Sequence, residues 1–130
     1  MSLVAQLSAL ATRIGTEIKG LIRPDHPGLA RAWVNFGYVG GEVQLRAAYN
    51  VASVTRLAKG RYRIAFEMPF PDAKYCWVAT GRSNTATGTI RFAAARGTTD
   101  GKTADTLELV CTSAAASLAD TPEISLVVYR

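Results

Sequence analysis

In the stretch Gly60-Arg61-Tyr62-Arg63-Ile64-Ala65-Phe66, the large apolar side chains of Tyr62, Ile64 and Phe66 oppose Arg61, Arg63 and the following Glu67. A period of two sends these sets to opposite faces of an extended chain, the signature of a strand with one face buried and one in water. Slipping such a strand by one residue exposes all three apolar groups, each contributing roughly 1.5–3 kcal/mol when fully buried, so its register is well specified. The same alternation occurs upstream, where Val43, Leu45, Ala47 and Tyr49 are expected on one face and Glu42, Gln44 and Arg46 on the other.

Further strands are predicted at 31–36, 51–56, 74–80, 89–94, 106–112 and 123–129, which brings the total to about eight. Turn residues punctuate them at Gly40-Gly41, Lys59-Gly60, 69–72 and Asp100-Gly101. Many short strands at near-regular spacing, with no second helical pattern among them, predict a mainly β domain, an antiparallel sandwich or jelly roll. It spans 31–130.

Before this domain the period changes. Leu3, Leu7, Leu10, Ile14 and Leu21 follow a four-three spacing, a heptad seam broken at Glu17, where Ile18 takes the adjacent place. Gly15 and Gly20 each cost about 1 kcal/mol of helix relative to Ala. A helix of about twenty residues with these defects is marginal alone in water and has to bury its seam, either on copies of itself or on its own domain. Residues 1–22 are therefore read as a coiled-coil helix. Arg23-Pro24-Asp25-His26-Pro27-Gly28 ends it, because each proline lacks a donor and biases the residue before it toward extended conformations; 23–30 form a neck.

The chain has 130 residues, enough to bury a core without staples, and 19% charged residues beside 48% hydrophobic ones argue against disorder. No apolar run approaches the roughly 20 residues needed to span a bilayer, and the start lacks the basic and apolar regions of a signal peptide, so no membrane insertion is expected. The net charge of +5 is spread singly over alternating strands without a nucleic-acid-binding motif; nucleic acid is not an expected partner. Long-range attraction to an anionic surface fits the same charge.

Catalytic chemistry finds little support. His26, the one histidine, lies in the neck far from any Gly-x-Ser-x-Gly context, so a nucleophile with its base is not predicted. Asp72 follows Pro71 and Asp100 precedes Gly101, positions where aspartate bonds its local backbone. No metal-ligand spacing or phosphate loop is present, and no cofactor is implied. Cys76 and Cys111 sit in strand-like contexts, either as buried thiols or as partners in a disulfide across a sheet. Binding needs only exposed loops on a rigid scaffold. Two polar loops qualify: one with Arg82, Asn84 and Thr87, the other with Arg96, Thr98, Asp100 and Lys102. Their amides, hydroxyls and cations suit sugars and phosphorylated or acidic sugars, with arginine forking onto the anionic oxygens.

Four phrases occur in fixed order: Ala32-Trp33-Val34-Asn35-Phe36, Tyr49-Asn50-Val51-Ala52-Ser53-Val54-Thr55, the Gly60–Phe66 strand, and Met68-Pro69-Phe70-Pro71-Asp72-Ala73-Lys74-Tyr75. This succession resembles the distal domain of bacteriophage tail fibre proteins over roughly residues 30–130, and the helical phrase 7–19 looks like a segment that recurs in phage fibres. The resemblance implies a β-sandwich that trimerises, is preceded by a coiled coil, and recognises a host-surface glycan or polysaccharide through variable loops. It also implies a non-enzymatic virion component, assembled in the host cytoplasm and exposed on the particle. The helix would then join it to other tail, baseplate or collar proteins. The residues carried over are scaffold positions: Trp33, Asn35, Phe36, Tyr49, Asn50, Ser53, Thr55, Tyr62, Phe66, Pro71, Asp72 and Tyr75. This chain departs from the usual pattern in running from helix to sandwich without a long shaft. A structural virion part without a receptor, decorating the capsid, collar or baseplate, is the alternative expectation.

Overall fold

The structure, a computed structural model, describes residues 2–21, 23, 26–83, 90–96 and 101–130. A helix α1 (Leu3–Leu21) precedes eight strands: β1 (Ala32–Val39), β2 (Glu42–Tyr49), β3 (Val51–Ala58), β4 (Arg61–Phe66), β5 (Cys76–Gly81), β6 (Arg91–Ala94), β7 (Thr106–Ser113) and β8 (Ile124–Tyr129). They form two antiparallel four-stranded sheets, in the orders β2-β1-β8-β5 and β3-β4-β7-β6. The sandwich predicted from the alternation is thus the observed architecture, the chain crossing between the sheets at β2–β3, β4–β5, β5–β6 and β7–β8.

The core lies between the sheets. Val34 and Phe36 of β1 and Ile124, Leu126 and Val128 of β8 meet Tyr62, Ile64 and Phe66 of β4 and Leu107 and Leu109 of β7, all buried. The alternation that defined β4 therefore reads the burial correctly: Tyr62, Ile64 and Phe66 point inward and Arg63 outward. Phe36 and Tyr62 join the sheets edge to face, with ring centroids 5.3 Å apart, a favoured aromatic geometry.

On β2 the alternation misleads. Asn35 pairs with Ala47, but Phe36 pairs with Leu45, leaving Arg46 as one extra residue opposite the Asn35–Phe36 step. This β-bulge reverses which face the later residues occupy. Val43 and Ala48 pack on the core, whereas Ala47 and Tyr49 join Asn35 and Trp33 on the outward face.

The predicted helix runs over Leu3–Leu21, and none of its residues is buried. The Ser2 hydroxyl accepts from the Ala5 N–H at 3.1 Å, a side-chain cap, and Lys19 lies in the last turn, where a cation complements the helix dipole. In the neck, the Gly28 N–H donates to His26 Nδ1 at 3.0 Å. Residues 22, 24 and 25 lie outside the described set.

Of the two readings for the cysteines, free thiols is the observed one, but only Cys111 is buried. Cys111 points from β7 into the core, and Cys76 points outward from β5 on the other sheet; both are free thiols. Their positions on opposite sides of a sheet explain why they do not pair.

Candidate functional site

Every second connection falls at the same end of the sandwich. The chain enters β1 through Arg31, and at this neck end lie the β2–β3 corner, the β4–β5 connection and the β6–β7 connection. At the far end lie the β1–β2 and β3–β4 hairpin turns and the β5–β6 and β7–β8 connections. The two loops proposed as ligand loops are therefore at opposite ends: Arg82 follows the far end of β5, while Arg96 and Lys102 belong to the β6–β7 connection at the neck end. Asn84, Thr87, Thr98 and Asp100 lie outside the described residues.

The neck-end cations are engaged in local structure. Arg96 Nη1 lies 3.3 Å from Glu108 Oε2, and Arg63 Nη2 lies 2.7 Å from Oε1 of the same carboxylate, with Arg61 Nη2 4.0 Å away. Glu108 is 7% exposed. Hydrogen bonding by Arg63 leads the lowering of its pKa below the usual carboxylate range, against burial and with help from Arg96. Gly101 (φ +58) lies directly over this carboxylate, where a Cβ would strike the Glu108 side chain. The Lys102 ammonium sits 4.8 Å from the centre of the Tyr75 ring, a cation–π contact. Tyr75 in turn donates to the Thr103 and Thr106 carbonyls at 2.9 Å each. Asp72 accepts from the Lys74 N–H at 2.8 Å, the local turn role anticipated for it, and also pairs with Arg130 at 2.8 Å.

The far end carries a more open polar cluster. Arg82 Nη1 stands 3.4 Å from Glu123 Oε2 with its side chain 70% exposed. Glu123 also accepts from the Asn35 amide at 2.8 Å, and that amide donates again to Ser125 Oγ at 3.0 Å. The Asn35 hydrogen bond, opposed by burial and aided by the charges of Arg82 and Arg46, holds the Glu123 carboxyl below its ordinary range. Arg46, projected by the bulge, donates to the Pro122 carbonyl at 2.6 Å. Two arginines thus flank one carboxylate at the far end of the sandwich, an arrangement able to receive a hydroxylated or anionic ligand through forked donors. The sequence reading found Arg82 but missed Arg46 and Glu123, because their meeting depends on the bulge and on a residue just before β8, 77 positions away from Arg46 in the chain.

Behind this cluster, Asp120 anchors the far-end turns. Its carboxylate receives Arg56 at 2.8 and 3.2 Å, the Gly60 N–H at 2.9 Å and the Tyr62 hydroxyl at 2.5 Å. Burial opposes its ionisation, but these donors outweigh it and bring its pKa down to about 2. Arg56 also lies over the Tyr38 ring, 4.3 Å from its centre.

Among the described residues, no three His, Cys, Asp or Glu side chains come together as metal ligands, and no helix is long and apolar enough to cross a membrane. No family model, curated protein or solved structure matches the chain.

Proposed function

We propose that the protein is a homotrimeric, non-enzymatic fibre of a phage virion, whose head binds a host-surface glycan or polysaccharide during adsorption. The observation that carries this reading is a heptad helix with no buried residue, joined to one end of a sandwich whose opposite end bears the exposed Arg82. A helix left uncovered in this way is marginal as a monomer, so packing against copies of itself accounts for it. A head held at its neck presents its far end outward. Arg82 and the loop with Asn84 and Thr87 are the contacts proposed for the sugar, whereas Arg96 and Lys102, with Thr98 and Asp100, belong to the loop on the attachment side. Three linked heads bind a repetitive polysaccharide with an avidity gain on the order of 10²- to 10⁴-fold over one head, when the geometry allows simultaneous contact.

Light scattering of the full chain combined with labelling of susceptible bacteria tests the reading. A trimer that labels cells and competes with phage adsorption supports it. A trimer that does neither identifies a structural virion part on the capsid, collar or baseplate, and a monomer removes the fibre reading.

A further inference from the structure

The outward faces of the two sheets differ in kind. On the β3-β4-β7-β6 sheet the centre of the outward face carries Arg61, Arg63 and Glu108 with Arg96, and its one large exposed apolar side chain among the described residues, Phe92, stands on the edge strand β6. On the β2-β1-β8-β5 sheet the register lines up Tyr49, Trp33, Val127 and Val78 as one row across all four strands. Tyr49, Trp33 and Val78 are 52%, 40% and 62% exposed. The next row, Ala47, Asn35, Ser125 and Thr80, is small and uncharged. Charges appear only at the margins, with Arg31 and Arg130 on the neck side and Arg46, Glu123 and Arg82 on the far side. Trp33 and Val78 border a shallow groove of about 290 Å³ between them. The exposed face of an antiparallel sheet is ordinarily polar, and an apolar centre inside a charged rim is the anatomy of a protein interface.

We infer that this face is where copies of the chain meet, each head turning its Tyr49–Trp33–Val127–Val78 row toward its neighbours. The inference rests on the self-association proposed above and assigns the surface that carries it in the head. Copies of the chain are the occupant for two reasons. Trp33 lies only twelve residues after Leu21, the last residue of α1, so the face is tethered closely to the helical seam. Helices that assemble bring the neighbouring faces together at an effective concentration in the millimolar range, which no separate partner enjoys. A sugar platform fits less well, because the Asn35 amide is already spent on Glu123 and Ser125 and the groove floor is formed by Val34, Ala79 and Leu126.

Cys76 is a native reporter, since it lies on the same face two residues before Val78, whereas Cys111 is buried. The rate of maleimide labelling of Cys76 is measured in the full chain, in Val78→Glu and in Thr55→Glu, which alters the opposite sheet, with the mass of each followed by light scattering. Slow labelling in the full chain and in Thr55→Glu, with a rise of ten-fold or more in Val78→Glu, is the expected result. A trimer in which Cys76 reacts as fast as in Val78→Glu overturns this inference and leaves the fibre reading standing. A monomer overturns both. Fast labelling that slows only when a host polysaccharide preparation is added makes the face a ligand platform and overturns the inference as well.

Discussion

Asp120→Asn tests the reasoning about the far end most directly. The substitution keeps the shape of the side chain and removes its charge, which now serves Arg56, Gly60 and Tyr62 together. The fall in pKa from an ordinary 3.8 to about 2 corresponds to about 2.5 kcal/mol of stability, because each pKa unit is worth about 1.4 kcal/mol. The Tyr62 hydroxyl, on a fully buried residue, and the Gly60 N–H then compete for one weaker amide acceptor, so the total cost is expected at about 2–4 kcal/mol. For a domain of this size that lowers Tm by roughly 8–25 °C. Urea denaturation of the full chain and the variant, at equal protein concentration and at several pH values, measures it. The folded-state pKa lies below the unfolded one, so the charge contributes fully above the unfolded value and its contribution is lost as pH falls through 3.8 toward 2. The gap between wild type and variant should therefore be widest near pH 6 and narrow steadily below pH 4. A variant within about 0.5 kcal/mol of wild type at pH 7, or a gap of constant size down to pH 2.5, would refute the argument.

Other outcomes follow from the same structure. Glu108→Gln leaves Arg61, Arg63 and Arg96 without their shared anion and should lower stability by about 1–2 kcal/mol, a loss that shrinks in 1 M salt as repulsion is screened; an unchanged denaturation midpoint in low salt counts against the cluster. Leu7→Asp with Leu10→Asp should convert the full chain to monomers and erase its helical circular dichroism while the β signal persists; retained helicity in the monomer would contradict the seam. Gly15→Ala has open space around its Cβ and should stabilise the assembled helix by about 1 kcal/mol, read as a higher melting temperature of the helical signal; a fall would mean that Gly15 is a close contact between helices. Gly37→Ala drives a Cβ into the Pro122 carbonyl, so it should cost several kcal/mol or block folding, and a soluble variant with native stability would contradict the packing beside β1.

The strands were legible because alternation is a local signal, and β4 shows it plainly: three residues in, two arginines out. β2 shows where such a signal ends. Its alternation continues unbroken in the sequence, yet Arg46 is inserted opposite Asn35 and Phe36, and nothing within β2 marks a bulge that depends on its partner. For the same reason Glu108 looked like one more polar residue in a strand, although three arginines from two other segments converge on it. The candidate loops were chosen from composition, which is blind to topology; only the strand order separates Arg82 from Arg96. Cys76 and Cys111 looked alike in sequence, but one faces out, whereas burial pushes the thiol of the other up to about 11.

Entry of the chain at one end of β1, with the Arg82 loop at the other, has a mechanical consequence. Under the function proposed above, a fibre holding a particle to a drifting cell would be pulled between its stem and its tip. Here that tension runs along β1, which lies between β2 and β8 and is hydrogen-bonded to both. Load applied parallel to the strands strains those bonds in shear and all together, so failure requires many to break at once, whereas a strand peeled from its side loses them one by one. Asn50 reinforces the loaded corner, its amide donating to the Arg31 and Met68 carbonyls at 3.1 Å each and so tying the entering chain to both sheets. The sandwich thus resists best a pull directed along β1, from Arg31 toward the far end.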